Sequence, residues 1–334
     1  MLILIYHFAV DNKLQILSCG YIGVEFFFLV SGYLLAKKAL SENGENKNIG
    51  IESCTYIFKR IKTLFPFALF PFMIILVYNI IIRRWGMGQI CNSIWYLFFL
   101  NMSGIRCTGY LGNVWYVSAM LISMFVFYSI IKKYKKTFIY LIAPIIVIFV
   151  GGWISYKYMN LGGITIHTGI VYKALLRAFF EISLGCILYE ISEKLKNVNF
   201  TNISKYIFSF VEILGVISVF YIANKKGGKY DFIMLLILSI IVVIAFSEKT
   251  RFYNLFNNKF FYYLEKLSLP IYLNQYFILT IINKNTNFNC VQRLLIIIVL
   301  SILLAIFVTY IIDYFNNNFK NVKRKVKSIF INEE

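Results

Sequence analysis

"GYIGVEFFFLVSGYLLAKK", residues 20–38, holds one acid, Glu25, in an otherwise apolar and aromatic run that closes on two lysines. A helix needs about 20 predominantly apolar residues to cross the hydrocarbon core of a bilayer, and this stretch has that length. Its small residues, Gly20, Gly23, Ser31 and Gly32, let neighbouring helices approach closely. The stretch therefore reads as a transmembrane helix packed inside a bundle, with Glu25 turned toward protein and away from lipid.

Comparable runs recur near residues 64–83, 112–131, 137–156, 172–190, 205–223, 231–247, 263–283 and 292–315. The stretch "SIWYLFFLNMSG" (93–104) is too short to cross and reads as interfacial or re-entrant. Residues 1–10 make half a span, and taken as the end of a first helix they bring the total to ten. The expectation is an all-α, polytopic helical membrane protein of about ten transmembrane helices, the first one truncated. Residues 1–315 would form the membrane domain and 316–334 a basic cytoplasmic tail. Composition agrees, since 60% of the 334 residues are hydrophobic and only 15% are charged, too few to cover a soluble domain of this length.

The 34 basic residues outnumber the 15 acidic ones. They cluster in short stretches between apolar runs, as loops facing anionic lipid do, so a nucleic-acid partner is not indicated. Placing 37–63, 132–136, 191–205, 248–266 and 316–334 on one side collects 22 Lys and Arg there and 11 on the other. The positive-inside bias then puts both termini in the cytoplasm of a multi-pass inner or plasma membrane protein. "MLILIYHF" (1–8) lacks the basic start and cleavage site of a secretory signal.

Six cysteines show no metal-ligand spacing, and with two histidines no zinc or iron site is expected. Cys91 and Cys107 share the outer side, where a disulfide between them is one option. No GxSxG elbow, P-loop or HExxH is present.

Charges at bilayer depth cost roughly 2.5–3.5 kcal/mol on insertion scales, so each needs a partner or a task. His7 is either an interfacial histidine with a satisfied hydrogen bond or a general base, because imidazole titrates near neutral pH. Glu25 is either part of a packing seam or the orienting partner of a nearby cation or imidazole. Lys59, Arg60 and Lys62, before Pro66, are either a positive-inside anchor or an anion site for phosphates. Arg177 and Glu181 stand four apart on one helix face, most simply as an ion pair. Trp115 and Tyr116 in "LGNVWYVSAM" (111–120) fit a belt of interfacial aromatics.

Taken together these stretches resemble the acyltransferase-3 family of membrane acyltransferases. "GYIGVEFFFLVSGYLLAKK" is similar to that family's second-helix signature. "YIFKRIKTLFP" (56–66) resembles its basic run before a proline, "GNVWYVSAM" (112–120) its tryptophan-led span, and "YLEKLSLPIYLNQYFI" (263–278) its late segment. The resemblance spans nearly the whole chain. It implies ten helices and transfer of an acyl group, often acetyl from acetyl-CoA, to a carbohydrate, peptidoglycan or lipid-linked sugar hydroxyl. It makes His7 the catalytic histidine, and it puts Glu25 at an acidic position and Arg60 at the most regular basic one. Departures are Gln275 for a late histidine, Met120 for a glutamate common after the tryptophan, and Thr63 for an arginine.

The expected reaction moves an acyl group from acyl-CoA to a hydroxyl, with no other cofactor and no metal. His7 would be the base, and Glu25 would orient it. Lys59, Arg60 and Lys62 would hold the CoA phosphates. Ser31, Tyr33, Arg177 and Tyr272 are the candidate oxyanion donors, and Trp115 belongs to the same substrate-facing set. Transport of a small polar solute or lipid-linked sugar without acyl chemistry, or an inactive family member, are the alternatives.

Overall fold

Apolar runs punctuated by short polar turns fold into an all-helical bundle, a computed structural model of which describes residues 1–41, 48–105, 107, 113–225, 228–285 and 288–331. Helix α1 (Leu2–Asp11) enters a turn that leads into α2 (Gly23–Ser41), and α3 (Ile49–Arg83) follows. After the short α4 (Met87–Ser93) come α5 (Val114–Thr137), α6 (Ala143–Tyr158), α7 (Lys173–Lys196), α8 (Asn202–Ala223) and α9 (Asp231–Phe246). The one-turn α10 (Phe252–Phe256) precedes α11 (Lys259–Asn285) and α12 (Cys290–Ile331). No named strand occurs among the described residues.

Several boundaries differ from the sequence reading, and two of the differences have a plain physical reason. The run expected from residue 64 belongs to a helix starting at Ile49, where Asn48 Oδ1 accepts from the Gly50 and Ile51 amides. Hydropathy marks where a helix meets hydrocarbon, whereas the cap marks where it begins. Helices α5 and α6 run on through one turn of π-helix, Phe138–Ile142, and the break between them is local, at Lys135 with φ +26°.

Residues 93–104 fold back as short turns and do not cross. The Met102 amide donates to Ser118 Oγ of α5 at 3.0 Å, and Phe99 is buried beneath it. Cys91 and Cys107 form no disulfide. Cys91 lies exposed on α4, and Cys107 Sγ donates to the Ile105 carbonyl at 3.4 Å.

Helix α2 lies at the centre of the bundle, between α7, α5 and α9. In lipid the hydrophobic effect does not separate helix from helix, so association rests on close packing and buried polar contacts. The α2–α7 seam shows both. A Cβ on Gly32 would stand 2.1 Å from the Ile182 carbonyl oxygen, and one on Gly185 would stand 2.2 Å from that of Leu29. Cys186 Sγ also donates to the Gly32 carbonyl at 3.3 Å.

Polar staples tie the rest together. Glu52 of α3 accepts from Tyr128 of α5 at 3.0 Å and pairs with Lys132 at 2.8 Å, while Tyr56 stacks on Tyr128. At the opposite end Asp231 Oδ2 accepts from the Tyr21 hydroxyl and the Leu161 amide, both at 2.7 Å. Outside the apolar layer, Lys196 Nζ bridges Glu193 at 3.0 Å and Glu248 at 2.8 Å. Its hydrogen bond holds the Glu248 carboxyl below its ordinary value.

Candidate active site

Helices α2, α3, α5 and α11 leave a cavity of about 200 Å³ between them. Phe27, Ser31 and Leu34 line it from one face of α2, because residues three or four apart share a helix face. Arg60, Thr63 and Leu64 do the same from α3, Tyr116, Met120 and Met124 from α5, and Ser268, Leu269 and Tyr272 from α11. From Phe27 to Leu34 the lining spans about 10 Å along α2 at 1.5 Å per residue.

The two ends differ in chemistry. At the end of Leu34 and Met124 stands Arg60, half-buried, its guanidinium 5.5 Å from the Tyr56 ring. At the other end the rings of Phe27, Tyr116 and Tyr272 close on one another at 5.9–6.2 Å. Between them Ser31 Oγ stands 3.1 Å from the Tyr116 hydroxyl and 3.3 Å from Met120 Sδ. Tyr272 is fixed by a reciprocal pair: its hydroxyl donates to the Asn113 carbonyl at 2.9 Å, and Asn113 Nδ2 donates to the Tyr272 carbonyl at 2.8 Å.

His7 does not line this cavity. Its half-buried ring meets Tyr276 edge-on at 6.0 Å and Tyr6 at 5.2 Å. Tyr276 lies one turn beyond Tyr272 on the same face of α11. Arg60, the cavity, Tyr272, Tyr276 and His7 thus succeed one another along the bundle.

Glu25 sits elsewhere. It is wholly buried and accepts from Nη2 of Arg177, whose Nε reaches Glu181 Oε1 at 3.5 Å. The Arg177 guanidinium also lies 5.4 Å from the centre of the Trp115 ring, a cation–π contact. The pair expected between Arg177 and Glu181 is present, and of the readings open to Glu25, a packing seam or a nearby cation or imidazole, its partner is the same arginine. Glu25 does not contact the imidazole.

Among the other expected site residues, Ser31, Arg60 and Tyr272 meet in the cavity. Trp115 is set behind it against Phe28 and Arg177. Tyr33 points the opposite way from Ser31, accepting from Ser192 Oγ at 3.0 Å and stacking on Phe246 at 4.0 Å. Lys59 and Lys62 are exposed on another face of α3. Tyr116, Met120 and Asn113 complete the site; the sequence read Tyr116 as an interfacial aromatic, marked Met120 only as a departure from the family pattern, and did not mark Asn113. Among the described residues no cluster of three His, Cys, Asp or Glu is placed to hold a metal.

The profile of a family described as "Acyltransferase domain", the acyltransferase-3 family, matches residues 1–314. The chain belongs to the acyltransferase-3 family. This acyltransferase domain covers every helix named above except the far end of α12. The chain is also similar to proteins named O-acetyltransferase OatA from Staphylococcus aureus strains NCTC 8325 / PS 47, COL and MRSA252. Each is 29% identical over 116 residues, which is 35% of this chain and 17% of the relative's length. No solved structure matches the chain.

Proposed function

We propose that this chain is a membrane O-acyltransferase that moves an acyl group, acetyl first of all, from acyl-CoA to a hydroxyl of a cell-surface carbohydrate or lipid-linked sugar. The observation that carries the reading is the ordered series from Arg60 through the cavity to His7. A thioester donor is an anion joined by a flexible arm to a small acyl group. A cation at one end of a mixed apolar and hydroxyl-lined cavity, with a base beyond the other end, suits that shape.

In this reading Arg60 takes a donor phosphate, and the arm lies along Leu34, Met124 and Met120. The Phe27, Tyr116 and Tyr272 rings part as the acceptor enters, and its hydroxyl gives its proton to His7 as its oxygen attacks the thioester carbonyl. Ser31 and Tyr116 offer hydroxyl donors to the oxyanion. Collapse breaks the C–S bond, and the imidazolium returns the proton to the departing thiolate, leaving an ester and free CoA thiol. Arg177 is committed to two carboxylates and Tyr272 to Asn113, so neither has that role. Both termini face the cytoplasm, which brings the Arg60 end to the donor.

The test is release of CoA thiol from acetyl-CoA by the purified chain in proteoliposomes, with and without added glycan. Acceptor-dependent release with acetyl appearing on the glycan supports the reading. Glycan movement across the bilayer without thiol release would replace it with transport.

A further inference from the structure

Two of the three cations before Pro66 have no place in the cavity. Lys59 and Lys62 are exposed, and neither side chain has a partner among the described residues. They stand on the face of α3 that continues through Pro66, Leu69, Phe70 and Met73, at spacings of three and four. Those four residues form one wall of an open apolar groove of about 460 Å³, and Val308, Ile311, Ile312 and Phe315 of α12 form the other. Phe70 meets Phe307 edge-on at 6.3 Å at its edge. Asp313, next to Ile312 on α12, is already paired with Lys266.

The dimensions match one leaflet of a bilayer. From Lys62 to Met73 the face is about 16 Å long at 1.5 Å per residue, close to half of a hydrocarbon core about 30 Å thick. A cationic pair at the start and an apolar slot about 10 Å long behind it, from Pro66 to Met73 at 1.5 Å per residue, have the shape of a phosphate headgroup joined to the first part of an acyl chain. A lysine is a compact point charge suited to a phosphate, and anionic lipid draws such residues strongly. Free phosphate would use the lysines and leave the slot unexplained. A neutral lipid would use the slot and leave the lysines unexplained.

We infer that this face of α3 and α12 is a binding site for an anionic phospholipid, its phosphate held by Lys59 and Lys62 and one chain lying in the groove. The site is separate from the cavity yet shares a helix with it, since Arg60 and Thr63 face the cavity from the same turns. A lipid bound there would fix the part of α3 that presents Arg60.

The experiment is native mass spectrometry of the full chain, equilibrated in neutral detergent with equal amounts of phosphatidylglycerol and phosphatidylcholine bearing identical chains. The wild type should retain one phosphatidylglycerol with about a 30-fold preference, the effect expected of two lysines near an anionic headgroup. K59Q/K62Q should lose that preference while still holding either lipid weakly. Met73→Trp, which fills the slot, should lower retention of both lipids at least tenfold. Equal retention of the two lipids by the wild type, or a preference surviving in K59Q/K62Q, overturns the proposal. Unchanged retention in Met73→Trp overturns the groove. All three positions are exposed, so unchanged melting temperatures keep each result interpretable.

Discussion

Arg177 of α7 donates to Glu25 of α2 across 152 positions of sequence, with both side chains at most 1% exposed. The same guanidinium reaches Glu181, so one cation serves two carboxylates in the middle of the bundle. Removing one partner of a buried ion pair typically costs about 3–5 kcal/mol, because the remaining charge is left uncompensated. Arg177→Met should therefore collapse the melting temperature in detergent. The triple variant R177M/E25Q/E181Q, with no buried charge left over, should recover much of the loss. Differential scanning fluorimetry of the three proteins decides it, and equal stability of the wild type and Arg177→Met would show that the pair contributes nothing.

The seam beside that pair is steric. At Gly32 an added Cβ would meet backbone, the Ile182 carbonyl, which cannot swing aside as a side-chain tip can. Overpacking of well-packed interiors typically costs about 1–3 kcal/mol, and a 2.1 Å approach to backbone falls at the upper end of that range. Gly32→Ala should lower the melting temperature by several degrees. Gly152→Ala, which meets nothing within 4 Å, should not.

How far these features were legible in the sequence depends on their range. The spans were legible because hydrocarbon selects length and apolarity, both local properties. The Arg177–Glu181 pair was legible because helix geometry makes four-residue spacing a contact. Glu25 announced that it needed a partner but not which one. A cation and the imidazole both fitted, and only the packing of α2 on α7 chose Arg177. The basic run before Pro66 read as one unit, either a positive-inside anchor or an anion site. Helical rotation divides it, with Arg60 facing the cavity and Lys59 and Lys62 facing outward. The Asn113–Tyr272 pair carried no sequence signal at all, since an amide and a tyrosine 159 positions apart have no periodicity to share.

His7 offers a test of chemistry with little structural cost. Its ring is half-buried and touches Tyr6 and Tyr276 by aromatic contact, with no hydrogen-bond partner among the described residues. His7→Ala should melt within a few degrees of the wild type yet lose about 10²–10⁴-fold in acetyl transfer, the range expected for loss of a general base. His7→Gln, which keeps a polar side chain but cannot cycle a proton near neutral pH, should be as inactive as the alanine variant. Transfer by either variant at the wild-type rate would remove His7 from the mechanism.

Arg60 separates binding from chemistry. If it holds a donor phosphate, it acts on ground state and transition state alike, and losing it should raise KM for acyl-CoA while leaving kcat near the wild-type value. Hydrogen bonds to charged groups are worth about 1.5–3 kcal/mol, which sets the rise for Arg60→Gln at roughly 10- to 150-fold. Arg60→Lys should fall between the two, because a lysine restores the charge but not the planar pair of donors. The Ser31–Tyr116 pair should behave in the opposite way. Tyr116→Phe removes a hydroxyl that matters only once the thioester carbonyl becomes an oxyanion, so kcat should drop with little change in KM. Steady-state kinetics of these three variants in proteoliposomes, at saturating acceptor and varied acetyl-CoA, separates the two effects. A fall in kcat alone for Arg60→Gln would move that residue from the donor's phosphate to the reacting centre.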